Sequence, residues 1–65
     1  MTYALTLFRG TWEIRANDPI VPHMVCQGPM PNDEASGLIL FNALKLAMLA
    51  TNDDAVIQAM GEWAK

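Results

Sequence analysis

Apolar and polar residues alternate in two short runs near the start of the chain. Residues 3–7 and residues 11–16 each switch between a large apolar side chain and a small or polar one. Strict alternation of this kind is typical of strands with one buried face. The pattern predicts a β-hairpin over residues 2–16.

The register of this hairpin follows if Arg9 and Gly10 form a two-residue turn. One face would pair Leu7 with Trp12, Leu5 with Ile14 and Tyr3 with Ala16, and the other would pair Thr6 with Glu13 and Ala4 with Arg15. The first face is wholly apolar, which favours this register. Arg-Gly is a weaker turn signal than Asn-Gly because the first turn residue must also take a positive φ, so a longer loop or a bulge at Gly10 stays open.

Residues 17–32 contain all four prolines of the chain and no periodic pattern. Proline fixes φ and removes a backbone donor, so this segment is predicted to be a loop. Within it, residues 23–27 can form a short third strand, with Met24 and Cys26 on one side and Val25 on the other. The flanking prolines suit an edge strand.

Two helices are predicted in the second half, over residues 33–51 and 53–64. Asn32 and Asn52 stand where they can cap them, and acidic residues occupy both first turns. The predicted fold class is therefore α+β, a single domain in which the hairpin packs against an αα-hairpin. One unbroken helix from 33 to 64 is the alternative. Gly61 is expected either to fray the second helix or to allow close approach to a neighbour.

The first helix is apolar almost all around. At 100° per residue its polar strip holds only Asn42 and Lys45, and Leu38 and Leu49 share that strip. Phe41, Leu44 and Met48 form one flank, with Leu40 beside them. The other flank, together with one tryptophan of the second helix, is the predicted interaction surface, formed by Ile39, Ala43, Leu46, Ala50 and Trp63. The alternative is that residues 17–31 fold over this flank.

Composition strengthens the case for self-association. A chain of 65 residues buries only about 60% of its unfolded surface, and such small domains usually need disulfides, a metal or oligomerisation. The single cysteine excludes an internal disulfide, so a homodimer or larger oligomer is expected. A net charge of −3 with four basic residues argues against nucleic-acid binding.

The sequence shows neither a secretory signal nor a segment long enough to span a membrane. The first residues have neither the basic region nor the apolar core of a secretory signal. Residues 38–50 fall short of the roughly 20 that a membrane span needs. We therefore expect a cytoplasmic protein without a membrane role.

Candidate chemistry is sparse, so no catalytic, cofactor-binding or metal-ligating residue is predicted. His23, Met24, Cys26 and Met30 offer soft donors, but a structural zinc site needs four paired Cys or His ligands. His23 and Cys26 are expected on opposite faces of a strand, which separates a base from a nucleophile.

The leading hypothesis is a small acidic protein-interaction module without enzyme activity. It would self-associate and bind a protein partner, in the general style of accessory or inhibitor proteins of bacteriophages and mobile elements. The alternative is an oligomeric binder of a nucleotide or metabolite, with a pocket at the subunit seam lined by Trp12, Met24 and Trp63. A third possibility is a structural subunit of a larger assembly.

Overall fold

The computed structural model describes residues 2–64, which form a three-stranded antiparallel sheet followed by two helices. The strands are β1 (Tyr3–Phe8), β2 (Thr11–Ala16) and β3 (His23–Pro29), in the order β1-β2-β3. Helix α1 (Glu34–Met48) and helix α2 (Asp53–Met60) follow, and a 3-10 turn spans Gly61–Trp63. The α+β prediction is confirmed.

The β1-β2 hairpin has the predicted register, with Leu7 opposite Trp12 and Leu5 opposite Ile14. Its turn is made by Arg9 and Gly10, with φ values of 51° and 76°. Two positive φ values give the tight turn whose twist matches the flanking strands. The longer loop and the bulge at Gly10 are excluded, because the strand pairing continues to Phe8 and Thr11.

Strand β3 lies at the sheet edge, as the prolines predicted, but it is longer than expected and bulged. The pairing jumps from Cys26 opposite Ile14 to Met24 opposite Arg15, which leaves Val25 as an extra residue. A bulge reverses the alternation of side chains beyond it. The prediction that Met24 and Cys26 share a face is therefore wrong: Cys26 lies on the helix side and Met24 on the other.

The two helices are separate, so the alternative of one unbroken helix is wrong. Asp33, rather than Asn32, caps α1 by accepting a hydrogen bond from the Ser36 backbone N–H at 2.9 Å. Asn52 caps α2 as predicted, with Oδ1 2.8 Å from the Ala55 nitrogen. Both side chains satisfy N–H groups that have no partner within the helix.

Both helices end earlier than predicted. Helix α1 stops at Met48, and α2 stops at Met60 because Gly61 takes φ 53° and ψ −127°, a conformation that side chains with a Cβ rarely adopt. A Cβ at Gly61 would contact nothing within 4 Å, so the glycine serves backbone geometry and not close approach.

The core lies between the sheet and the helix pair. Helix α1 packs over β1 and α2 packs over β3. The fully buried side chains come from β2 and from one stripe of each helix. They are Trp12, Ile14, Ala16, Leu40, Leu44, Ala47, Val56 and Met60. In the described part of the chain, no helix has the length and apolar character that crossing a bilayer requires.

Candidate functional site

The side of α1 that faces away from the sheet is largely apolar and exposed. We call it the outer face of α1, and it consists of Leu38, Ile39, Phe41, Asn42, Lys45, Leu46 and Leu49. The five large apolar side chains range from 54% exposed at Phe41 to 80% at Leu49. The ammonium group of Lys45 lies 5.2 Å from the centre of the Phe41 ring. Within residues 2–64, more than half of each of these five side chains is therefore left uncovered.

The residues of the predicted interaction surface are divided between environments. Ile39 and Leu46 are exposed on the outer face of α1. Ala43 and Ala50 are partly buried and pack against the core, and Ala50 lies beyond the end of α1. Trp63 is partly buried in the C-terminal turn. Leu38, Phe41 and Leu49 are also exposed beside Ile39 and Leu46, although they were not among the residues predicted for the interaction surface.

The loop before β3 does not shield this helix. Ile20 is 86% exposed and Val21 is 61% exposed. Asp18 holds the loop in a tight local turn, since its carboxylate accepts hydrogen bonds from the Ile20 and Val21 backbone N–H groups. The alternative in which residues 17–31 fold over the flank of α1 is therefore wrong for this part of the loop.

A groove lies between the end of β3, helix α1 and the C-terminal turn. We call it the C-terminal groove, and its volume is about 650 Å³. Its walls include Met30 with the two flanking prolines, Ile39 and Ala43 of α1, Met60 of α2, and Glu62 and Trp63. Volumes of 300 to 1,000 Å³ with mainly apolar walls are typical of small-molecule sites. Glu62 is the charged residue among the described residues that line it.

The pocket expected from Trp12, Met24 and Trp63 does not form within one chain. Trp12 is fully buried beneath the helices, and the bulge turns Met24 to the opposite face of the sheet. Trp63 alone of the three lines the C-terminal groove. Within one chain the three side chains are therefore not brought together, and the ligand pocket at a subunit seam stays a prediction.

Three polar side chains that no local sequence pattern connects meet at the opposite end of the helix pair. Asp53 accepts a hydrogen bond from the Tyr3 hydroxyl at 2.7 Å, and its other oxygen lies 2.7 Å from His23 Nε2. The second ring nitrogen, Nδ1, is 2.8 Å from the Val21 carbonyl oxygen. The cluster therefore ties β1, β3 and the first turn of α2 together.

Electrostatics in this cluster favour a charged His23 and a charged Asp53. Both neighbours of the imidazole are acceptors, so only the doubly protonated ring donates to both. The Val21 carbonyl and then Asp53 raise the His23 pKa, while His23 and then Tyr3 lower the pKa of Asp53. Burial and the bond to Asp53 raise the pKa of Tyr3 to about 12.

We expect the folding stability that this cluster contributes to fall as the solution becomes alkaline. Its His23 contribution is complete below the unfolded value of 6.5 and is lost as pH rises through the higher folded pKa. Its Asp53 contribution is complete above 3.8 and is lost as pH falls through the lower folded pKa. Thermal unfolding followed by circular dichroism is expected to give a higher Tm at pH 5.5 than at pH 8.5.

A matched variant isolates the histidine in that measurement. His23→Gln retains one amide donor but cannot titrate, so its Tm is expected to change much less between the two pH values. An equal pH dependence in His23→Gln and in the unaltered protein would show that another group causes the effect.

Cys26 and His23 lie on the same side of the sheet, which corrects the prediction that they point to opposite faces. The bulge at Val25 accounts for the change. Burial raises the pKa of the Cys26 thiol, which disfavours the nucleophilic thiolate. Among residues 2–64, no three His, Cys, Asp or Glu side chains gather closely enough to hold a metal ion.

Comparison with protein-family models, with curated proteins and with solved structures finds no match to this chain.

Proposed function

We propose that this protein is a small interaction module that self-associates through the outer face of α1. The observation that carries the proposal is the exposure of five large apolar side chains, four on the 15-residue helix α1 and the fifth, Leu49, at its C-cap. Each fully exposed side chain of this size forgoes about 1.5 to 3 kcal/mol of burial. The core of a scaffold this small rarely supplies more than about 3 to 5 kcal/mol of stability, so covering this face would add substantially to the stability of the fold.

A second copy fits this face because the face can be paired with itself. In a two-fold arrangement the same residues meet from both sides. Asn42 lies near the middle of the outer face, and its amide both donates and accepts hydrogen bonds. Antiparallel helices crossing near Asn42 would pair the two amides and place the two Lys45 ammonium groups on opposite sides of the axis. One polar residue in an apolar seam also fixes the register.

The proposal extends to a protein partner. A foreign protein with an apolar groove would compete with the second copy for the outer face of α1, because an exposed amphipathic helix is a common docking element. The module would then act by occupying a surface of its partner, as accessory or inhibitor proteins of bacteriophages do. This role stays a prediction. The absence of enzyme activity stays a prediction as well.

Leu46→Glu tests the surface directly. Leu46 is 61% exposed, so the variant is expected to fold as a monomer while losing association. Placing an unpaired carboxylate in an apolar seam is expected to cost about 2 kcal/mol, or about 30-fold in the dissociation constant. Light scattering after size exclusion measures the mass, and circular dichroism measures the helix content.

Ile20→Glu is the matched control, because Ile20 is 86% exposed but lies in the loop before β3. It introduces the same charge and is expected to keep the mass of the unaltered protein. The proposal fails if Leu46→Glu and Ile20→Glu have equal masses. An unfolded Leu46→Glu monomer would instead place Leu46 in the intrachain core.

A further inference from the structure

The C-terminal groove is separate in composition from the outer face of α1, although Ile39 borders both. Its volume of about 650 Å³ corresponds to a small organic molecule and not to a single buried side chain. Most of its wall is aliphatic, thioether or proline, and Trp63 contributes the aromatic ring. The groove therefore offers more contact area to an apolar ligand body than to a polar one.

The charge of the groove lining determines which head group an amphipathic ligand should carry. Glu62 lines the groove and is exposed to solvent, so the groove carries one hydrated negative charge. Within the described chain the lining contains no basic side chain. Indole rings also attract cations through their negative face. A carboxylate and an indole at one apolar groove favour a cation and disfavour an anion.

We propose that the C-terminal groove binds a small amphipathic cation, with its apolar body against Met30, Ile39 and Trp63 and its ammonium group at Glu62. Apolar burial supplies most of the affinity, and the ion pair supplies the preference for positive charge. The ion pair is partly screened because Glu62 is exposed, so the preference is modest. This inference does not rest on the proposed self-association, although the two surfaces share Ile39.

Phenylbutylamine, phenylbutanol and phenylbutyrate are suitable probes because they share one apolar body and differ in the charge of the head group. The amine is expected to bind with a dissociation constant of about 1 mM, in keeping with its few heavy atoms. It is expected to bind about fivefold more tightly than the alcohol, and the carboxylate is expected to bind most weakly. The titration is made on the full chain at pH 7.

The two tryptophans supply a site-specific readout. Trp63 lines the groove, whereas Trp12 is fully buried. In a proton–nitrogen correlation spectrum, the indole signal of Trp63 is expected to shift on titration with the amine, and that of Trp12 is expected to shift less. An equal or larger shift of the Trp12 signal would place the ligand elsewhere and overturn the proposal.

Two variants separate the ion pair from general surface charge. Glu62→Gln is expected to bind the amine and the alcohol equally, with the affinity for the alcohol unchanged. Glu13→Gln removes one negative charge from β2, outside the groove, and is expected to retain the fivefold preference. A preference that survives in Glu62→Gln, or equal binding of amine and carboxylate to the unaltered protein, contradicts the assignment.

The titration also distinguishes other occupants. If the Trp63 signal shifts with rising protein concentration alone and the amine adds no further shift, a second copy fills the groove and the small-molecule assignment is wrong. If none of the three probes shifts the Trp63 signal at 10 times the expected dissociation constant, about 10 mM, the assignment is wrong as well.

Discussion

Gly28→Ala is expected to lower the free energy of unfolding by about 3 kcal/mol, at the upper end of the usual cost of overpacking. Gly28 is buried on β3, opposite Trp12. A Cβ at this position would collide with the carbonyl oxygen of Trp63 and would lie 2.7 Å from Cζ2 and 2.9 Å from Cε2 of Trp12. The backbone atom cannot rotate away, and the Trp12 ring is held by the core.

The consequence is large because the domain has little stability to lose. A net stability of about 3 to 5 kcal/mol would fall close to zero, and Tm would fall by about 12 to 24 °C. The collision with the Trp63 carbonyl is relieved only if the turn that carries Trp63 moves away from the sheet. That movement would shift the fluorescence of Trp63 to the red. Urea unfolding at a fixed low protein concentration measures the change.

Gly37→Ala is the matched control for this prediction. Gly37 lies within α1, and a Cβ there would contact nothing within 4 Å. Because alanine is the better helix former, this variant is expected to gain about 0.5 to 1 kcal/mol. If Gly28→Ala proves as stable as the unaltered protein, β3 and the C-terminal turn do not pack as described.

Leu40→Ala is expected to cost about 3 kcal/mol, within the usual range for truncating a buried leucine. Leu40 is 1% exposed and lies in the apolar cluster between β2 and α2. The lost methyl groups leave a cavity that the sheet cannot close, since Trp12 and Ile14 are fixed by strand pairing. Chemical unfolding at a concentration where the chain is monomeric gives the value.

Leu38→Ala removes the same atoms two residues away and serves as its control. Leu38 is 60% exposed, so its truncation is expected to change monomer stability by less than about 0.5 kcal/mol. It is expected to weaken self-association instead, because Leu38 belongs to the outer face of α1. Equal losses of monomer stability in the two variants would mean that the buried side of α1 has been assigned to the wrong residues.

The sequence was sufficient to predict the elements whose signals are local. Alternation gave the β1-β2 hairpin, and the apolar pairing of Leu5 with Ile14 gave its register. The cap at Asn52 marked the break between the helices. These features depend on neighbouring residues and on a two-residue turn, so no distant contact was needed to infer them.

Features that depend on tertiary contacts were beyond the sequence argument. The bulge at Val25 reverses which side chains of β3 face the helices, and no residue type at this position predicts a bulge. The Tyr3–Asp53–His23 cluster joins residues that are 30 and 50 positions apart. The need for glycine at position 28 arises from the Trp63 carbonyl oxygen and the Trp12 ring that lie against it, and Trp63 is 35 positions away in the chain.

The sequence predicted only part of the exposed surface of α1, because tertiary packing decides which side of the helix is buried. A helix that is apolar all around identifies the excess of apolar surface but not which side the sheet will cover. Packing selected Leu40, Leu44 and Ala47 for the core and left Leu46 and Ile39 outside. Ala43 and Ala50 were assigned to the same surface as Leu46, although their small side chains approach the core.

Sedimentation equilibrium across micromolar concentrations tests the central claim, self-association through the outer face of α1, most directly. The unaltered chain is expected to show a mass that rises with concentration from 7.2 kDa towards twice that value. Leu46→Glu at the same concentrations is expected to stay at the monomer mass. A mass of 7.2 kDa for the unaltered chain throughout the range would contradict the account.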